Sequence, residues 1–201
     1  MSKLIDYFFT VGSPFAYLGH DRFTAIVARH GAQVNVKPID LGKVFAVSGG
    51  LPLKQRSPQR QAYRLRELAR WSALLDKPLN PQPRFFPVAG DLGARWTLAV
   101  AEQGSAPALR LAGALMRAVW AEERNVADAA TLAEVAREQG LDAAAIATRA
   151  ASDEIGARYD QITSEAIDRQ VFGAPSFIYR DELFWGQDRL DFLDRALAAG
   201  V

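Results

Sequence analysis

Strand-forming patterns occur only near the two ends of this 201-residue chain, with about 130 mostly helical residues between them. Lys3 to Thr10 reads Lys-Leu-Ile-Asp-Tyr-Phe-Phe-Thr, short and aromatic on both faces, which predicts a buried strand. Gln33 to Asp40 alternates and predicts a second strand. Val11-Gly12-Ser13-Pro14 breaks the first strand. Ser13 suits a helix N-cap and Pro14 the first helical position. Phe15, Leu18, Phe23, Ile26 and Val27 then line one helical face, and Gly31 stops the helix. Strand, helix, strand is a βαβ unit, expected to cross over right-handed. At the other end Ser176 to Arg180 predicts a strand, Asp181-Glu182 a turn, and Leu183-Phe184-Trp185 the return strand of an antiparallel hairpin. A final helix follows Gly186, with Asp188 as its N-cap and Leu190, Leu193 and Leu197 inside. Neither end block is large enough to fold alone. They are expected to pair into one mixed sheet, giving an α/β fold of the form βαβ…ββα with an all-helical insertion. The implied division is a discontinuous domain of residues 1–40 and 171–201, interrupted by a helical domain of residues 41–170.

Within the insertion, Leu41 to Val47 reads as a short helix and Ser48-Gly49-Gly50-Leu51-Pro52 as a loop. Pro58 to Asp76 is helical. Pro78, Pro81, Pro83 and Pro87, with Phe85-Phe86 among them, force a long extended loop. Helices are predicted over 92–103, 107–122, 128–139, 142–150 and 152–170.

Composition removes several function classes. Twenty-four basic and 23 acidic residues leave a formal charge of +1, so no global field attracts nucleic acid or an anionic membrane. No apolar run approaches the length of a membrane span. Met1-Ser2-Lys3-Leu4-Ile5-Asp6 places an acid where a leader keeps its apolar stretch, which sets the expectation of a cytoplasmic protein. The chain has no Cys. That excludes a disulfide framework, a thiolate zinc site, a Cys nucleophile and dithiol redox chemistry. Only two His, His20 and His30, are present, which argues against a multi-histidine metal site, and none is assigned. Both are read as partly exposed residues of the first helix.

Four stretches carry candidate chemistry. Ser13, at a strand-to-helix turn, puts a hydroxyl beside unpaired backbone N–H groups that favour an anion; plain helix capping is the alternative. Gly173-Ala174-Pro175-Ser176 precedes a strand. A cis Ala174–Pro175 bond would turn the Ala174 backbone toward an extended ligand, and an ordinary trans loop is the alternative. In Trp185-Gly186-Gln187-Asp188-Arg189, Asp188 offers a carboxylate to a ligand ammonium, and Gln187 an amide to a ligand carboxylate. Arg56, Arg60, Arg64, Arg66 and Arg70 read mostly as a solvated face, with Arg60 able to fork a carboxylate. Phe85-Phe86 could line an apolar pocket.

Together these stretches resemble a known family. Phe8-Phe9-Thr10-Val11-Gly12-Ser13-Pro14-Phe15-Ala16-Tyr17-Leu18 is similar to the opening of the 2-hydroxychromene-2-carboxylate isomerases. These belong with the kappa-class glutathione transferases in the DsbA-like branch of the thioredoxin fold. Gly173-Ala174-Pro175 resembles that fold's cis-proline turn, and Trp185-Gly186-Gln187-Asp188-Arg189-Leu190 the family's closing motif. Ser48-Gly49-Gly50-Leu51-Pro52, Arg60-Gln61-Ala62-Tyr63-Arg64, and Leu79-Asn80 with Phe86-Pro87 resemble its middle segments. The resemblance spans nearly the whole chain.

What it implies is a glutathione-dependent isomerase of aromatic catabolism. The reaction interconverts 2-hydroxychromene-2-carboxylate and trans-o-hydroxybenzylidenepyruvate by reversible thiolate addition. Redox members carry Cys at the turn that here holds Ser13, so the sulfur must come from glutathione. By position, Ser13 would donate to that sulfur and Ala174, before Pro175, would pair with the cysteinyl backbone. Gln187 and Asp188 would hold the γ-glutamyl end. Arg60, where relatives often carry Lys, would meet the glycyl carboxylate. Gly50 falls where some relatives carry an Asn that contacts substrate or glutathione, and that role is not transferred. A homodimer is implied; nucleic acid and membrane partners are not. Two rival readings are a kappa-like transferase that conjugates electrophiles and a non-catalytic binding protein on the same scaffold.

Overall fold

The computed structural model of the protein describes residues 3–200. Met1 and Ser2, where the leader reading begins, and Val201 lie outside the described residues. Four strands form one sheet: β1 (Leu4–Phe9), β2 (Gln33–Pro38), β3 (Ser176–Tyr179) and β4 (Glu182–Trp185), in the order β2-β1-β3-β4. β1 runs parallel to β2 and antiparallel to β3, and β3 and β4 form the expected hairpin. The sheet is therefore mixed, and its centre joins the two ends of the chain.

β1 and β3 are buried on both faces, which explains their near-continuous apolar sequences. Ile5, Tyr7, Phe9, Phe177 and Tyr179 enter one apolar cluster, while Phe8 and Ile178 enter another. Tyr7 lies opposite Phe177 in the register, with ring centroids 5.1 Å apart and nearly parallel planes. Burying each such ring stabilises the fold by about 2–3 kcal/mol. The first cluster is closed by α1 (Pro14–His30), α5 (Ser105–Trp120) and α9 (Leu190–Ala199), through Phe23, Leu111 and Leu193. The second is closed by α2 (Leu41–Ser48), α4 (Asp91–Ala101) and α8 (Asp153–Asp168), through Val44, Leu98 and Ile155. The remaining helices are α3 (Pro58–Leu74), α6 (Ala129–Glu138) and α7 (Ala143–Ala150). No helix of the described residues is long and apolar enough to cross a membrane.

Local chemistry sets the helix starts. The Ser13, Asp40, Ser57, Asp128, Asp142 and Ser152 side chains each accept a backbone N–H at the start of a helix. Such a cap is worth about 1 kcal/mol. Gly31 ends α1 in the left-handed conformation, φ 57°, where a side chain would be strained.

Three local expectations need correction. The hairpin turn is Arg180-Asp181, with φ 50° and 64°, and β4 starts one residue early at Glu182. A two-residue turn of this kind needs positive φ at both central positions, and Arg180 carries no sequence signal for that. Asp188 does not cap the last helix. A 3-10 turn over Gln187–Arg189 intervenes, α9 begins at Leu190, and the Asp188 carboxylate sits 2.8 Å from Arg189. The histidines are also more engaged than expected. His20 is buried, with Nε2 2.9 Å from the Leu109 carbonyl and Nδ1 3.5 Å from the Tyr7 hydroxyl. A carbonyl only accepts, so Nε2 carries the proton and Nδ1 faces the Tyr7 O–H. Burial pushes His20 down to about 4, against a smaller upward pull from the Leu109 bond. His30 Nε2 meets the Asp194 carboxylate at 2.6 Å.

Candidate active site

The turn between β1 and α1 is the centre of the site. Ser13 N–H donates to the Thr10 carbonyl at 3.0 Å, fixing the exit from the strand. Pro14 follows at the first helical position and brings no N–H. Ser13 Oγ accepts from Ala16 N–H at 3.2 Å and donates to the Ala174 carbonyl at 3.0 Å. The Ala174–Pro175 bond is cis. The Pro175 carbonyl accepts from Gly186 N–H at 2.8 Å, and Ser176 Oγ donates to the Gly173 carbonyl at 2.8 Å. Ser13 is thus a cap and also a cross-link to the proline turn. Its hydroxyl lies at the positive end of a 17-residue helix, where negative charge is favoured.

Ser13, Gly173 and Ala174 line a cavity of about 1110 Å³. Its walls differ in charge. Arg56, Arg60 and Arg64 line one side. None of the three is ion-paired among the described residues, although many other arginines are. Asp40, Asp91 and Tyr159 line another part. Asp40 is occupied as the cap of α2, and Asp91 accepts from the Tyr159 hydroxyl at 3.1 Å. Burial and the neighbouring Asp91 and Asp40 push Tyr159 far up, so it stays a neutral donor. Aromatic edges come from Phe86 of the proline-rich loop and from Phe172 and Trp185, which pack at 4.7 Å between centroids.

Of the sequence-predicted residues, the fold brings Ser13, Ala174 and Arg60 to this cavity, and Pro175 lies directly behind Ala174. Arg60 is exposed, on α3. Gln187 and Asp188 do not line the cavity. Gln187 is buried against α1, where a Cβ on Gly19 would come within 2.6 Å of its own Cβ. Its Oε1 accepts from Arg22 at 3.2 Å, and its Nε2 has no hydrogen-bond partner among the described residues. Asp188 is exposed, three residues beyond Trp185. Gly50 does line the cavity, and the Phe45 ring covers it.

Sequence reasoning missed Arg64. Its sequence context reads as a solvated face, yet it is half-buried and its Nη2 is enclosed without a partner among the described residues. A signal was present. Arg56, Arg60 and Arg64 recur every four residues with no carboxylate interleaved, an arrangement that repels itself unless an anion joins it. The cis Phe86–Pro87 bond was also missed, and Phe86 lines the cavity as expected of its loop.

The model of the DSBA-like thioredoxin domain matches residues 4–198, so this sheet, with a helix N-terminus facing a cis-proline turn, is that of a DsbA-like protein. The chain is 30% identical to 2-hydroxychromene-2-carboxylate isomerase of Pseudomonas putida over 195 residues, 96% of this chain and 94% of that protein. A solved structure of a 2-hydroxychromene-2-carboxylate isomerase matches with TM-score 0.81 at 28% identity, over 98% of this chain and 95% of that one. Within the DsbA-like class, the chain belongs to the family of the 2-hydroxychromene-2-carboxylate isomerases. It is also 26% identical to glutathione S-transferase kappa 1 of Caenorhabditis elegans, over 96% of this chain and 91% of that protein.

Proposed function

We propose that the protein is a glutathione-dependent isomerase that interconverts 2-hydroxychromene-2-carboxylate and trans-o-hydroxybenzylidenepyruvate. The observation that carries this reading is Ser13. A hydroxyl stands at a helix N-terminus, against a cis-proline turn, in a chain without any cysteine. Such a place suits a sulfur that another molecule brings.

The residues present fit glutathione. Its thiolate would take the Ser13 hydroxyl proton as a hydrogen bond, and the helix end would favour the charged form. The Ala174 backbone, beside Pro175, would pair with the cysteinyl unit. Arg60, without an ion-pair partner among the described residues, would meet the glycyl carboxylate. Asp188, exposed beyond Trp185, would reach the γ-glutamyl ammonium from outside the cavity lining, whereas the Gln187 amide is sealed from solvent and is not assigned the adjoining carboxylate. When bound, glutathione supplies a sulfur nucleophile whose reversible addition to the conjugated carbon frees the carbon–carbon bond to rotate. The chain's own part is to keep that sulfur charged, orient the acceptor and shield the site from water. The same reading places the protein in the cytoplasm, where glutathione keeps thiols reduced, as a homodimer with small-molecule partners only.

The test is the ultraviolet change of 2-hydroxychromene-2-carboxylate with and without glutathione. A catalysed change that appears only with glutathione is expected. No catalysed change in either case would sink the reading. A parallel assay with a chromogenic aromatic electrophile separates it from a conjugating transferase, the reading that the kappa-class likeness favours.

A further inference from the structure

Arg64 poses an energetic problem. Its guanidinium lies 5.3 Å from the centroid of Phe86 and 5.7 Å from that of Trp120. Those two rings pack against each other at 4.9 Å. One guanidinium nitrogen is sealed from solvent with no acceptor among the described residues. Burial and, to a smaller extent, the Arg56 cation lower Arg64 to about 10, and at neutral pH it keeps its charge. Partly burying a cation without an anion costs hydration, which ring faces return only in part. Folds retain such a group where something else completes it.

The surroundings say what completes it. Arg64 lines the same cavity as Ser13, and so do the apolar side chains of Leu65, Phe86, Pro87 and Val88. Arg60, one turn earlier, is exposed and suits a hydrated peptide carboxylate. Arg64 instead offers a fixed fork of donors beside an aromatic wall. We propose that Arg64 is the specificity-determining residue for the electrophilic substrate. It receives the carboxylate of a planar aromatic acid whose ring rests against Phe86. For the natural ligand this rests on the isomerase reading; for the class of ligand it rests on the cavity alone.

The experiment uses Arg64→Met and Arg64→Lys in the full chain, with three probes titrated by calorimetry: 2-naphthoate, its neutral carboxamide and glutathione. Wild type is expected to prefer naphthoate over the carboxamide. Arg64→Met should lose about 100-fold in naphthoate affinity, the scale of a hydrogen bond to a charged group. It should keep carboxamide and glutathione affinities within about twofold, the residual expected for a site left otherwise intact. Arg64→Lys should recover part of the loss. The melting midpoint of Arg64→Met should hold or rise, because a half-buried charge without an ion-pair partner is removed. Equal naphthoate binding by wild type and Arg64→Met overturns the proposal. So does a loss confined to glutathione, a failure of wild type to bind naphthoate, or unfolding of both variants. Absence of glutathione-dependent isomerisation with the naphthoate pattern intact would instead sink the reaction reading and leave Arg64 assigned.

Discussion

The Ser13 proton is directed at the Ala174 carbonyl, 3.0 Å away. A bound sulfur must therefore win it by rotation of the hydroxyl, and the Ala174 carbonyl then needs a new donor. An extended peptide ligand carries such a donor in its backbone. Ser13→Ala is expected to lower kcat/KM by about 100- to 1000-fold, the cost of deleting one donor aimed at developing charge. The loss of the cap should cost about 1 kcal/mol in stability as well. Thiolate absorbance titrated on the bound cofactor separates the two effects: an unchanged thiol pKa would leave Ser13 a cap only. Gly50 gives a second prediction at this scale. A Cβ there would lie 2.1 Å from Phe45 Cδ1. Gly50→Asn should cost about 1–2 kcal/mol by overpacking, and Phe45→Ala in the same chain should restore most of it. Urea unfolding of the two singles and the double checks this. Additive losses would show that Phe45 is not what keeps position 50 empty.

Among the elements, the β3–β4 hairpin was legible as a hairpin and misread by one residue. Both turn residues, Arg180 and Asp181, have positive φ, and only Asp tolerates it well. Replacing them by Asn-Gly should stabilise the protein by about 1 kcal/mol and raise the melting midpoint by about 2–4 °C. The ion pair lost with Asp181 is worth little, because that carboxylate is 99% exposed. A lower midpoint would show that the Arg180 contact with the Gly200 carbonyl outweighs turn strain. Helix starts were readable wherever a Ser or Asp preceded a Pro or an apolar run, as at Ser13, Asp40 and Ser57, because capping is a local interaction. Asp188 had the same residue type and failed as a cap. Gly186 lets the chain enter a 3-10 turn first, a choice made by packing of Gln187 under Gly19. The arginine spacing around Arg64 hinted at an anion, but its burial depends on long-range packing, because the loop of Phe86 lies against it.

For the molecule as a whole, the two apolar clusters meet at β1, and His20 anchors the larger one to α5 through Leu109. Its depressed value has a definite sign. The folded chain holds His20 neutral down to about pH 4, whereas the unfolded chain protonates it near 6.5. Protons therefore bind the unfolded state preferentially between those values. Stability from this group is complete above about pH 6.5 and is lost as pH falls toward 4, by roughly 3 kcal/mol in total. Chemical denaturation at successive pH values measures the slope, and His20→Gln should flatten it. An unaltered slope in that variant would assign it to the carboxylates instead. The α/β class and mixed sheet were legible because strand patterns at both ends demand a partner. The burial of His20 was not, since a polar residue on an apolar helix face gives no sign of the carbonyl that α5 brings to it. Gly113 lets that approach happen, since a Cβ there would fall 2.7 Å from the imidazole.

The bond from Ser13 to Ala174 spans 161 positions of chain. Its consequence concerns synthesis. A ribosome delivers β1, β2 and every helix of the middle before it delivers β3, so the central strand waits with one edge bare for most of translation. At about 5–20 residues per second that wait lasts on the order of ten seconds. During that interval the aromatic edge of β1 has no strand to pair with. An unpaired strand edge of that kind is prone to aggregate, and the contact of Ser13 with the proline turn forms only with the last few dozen residues to be made.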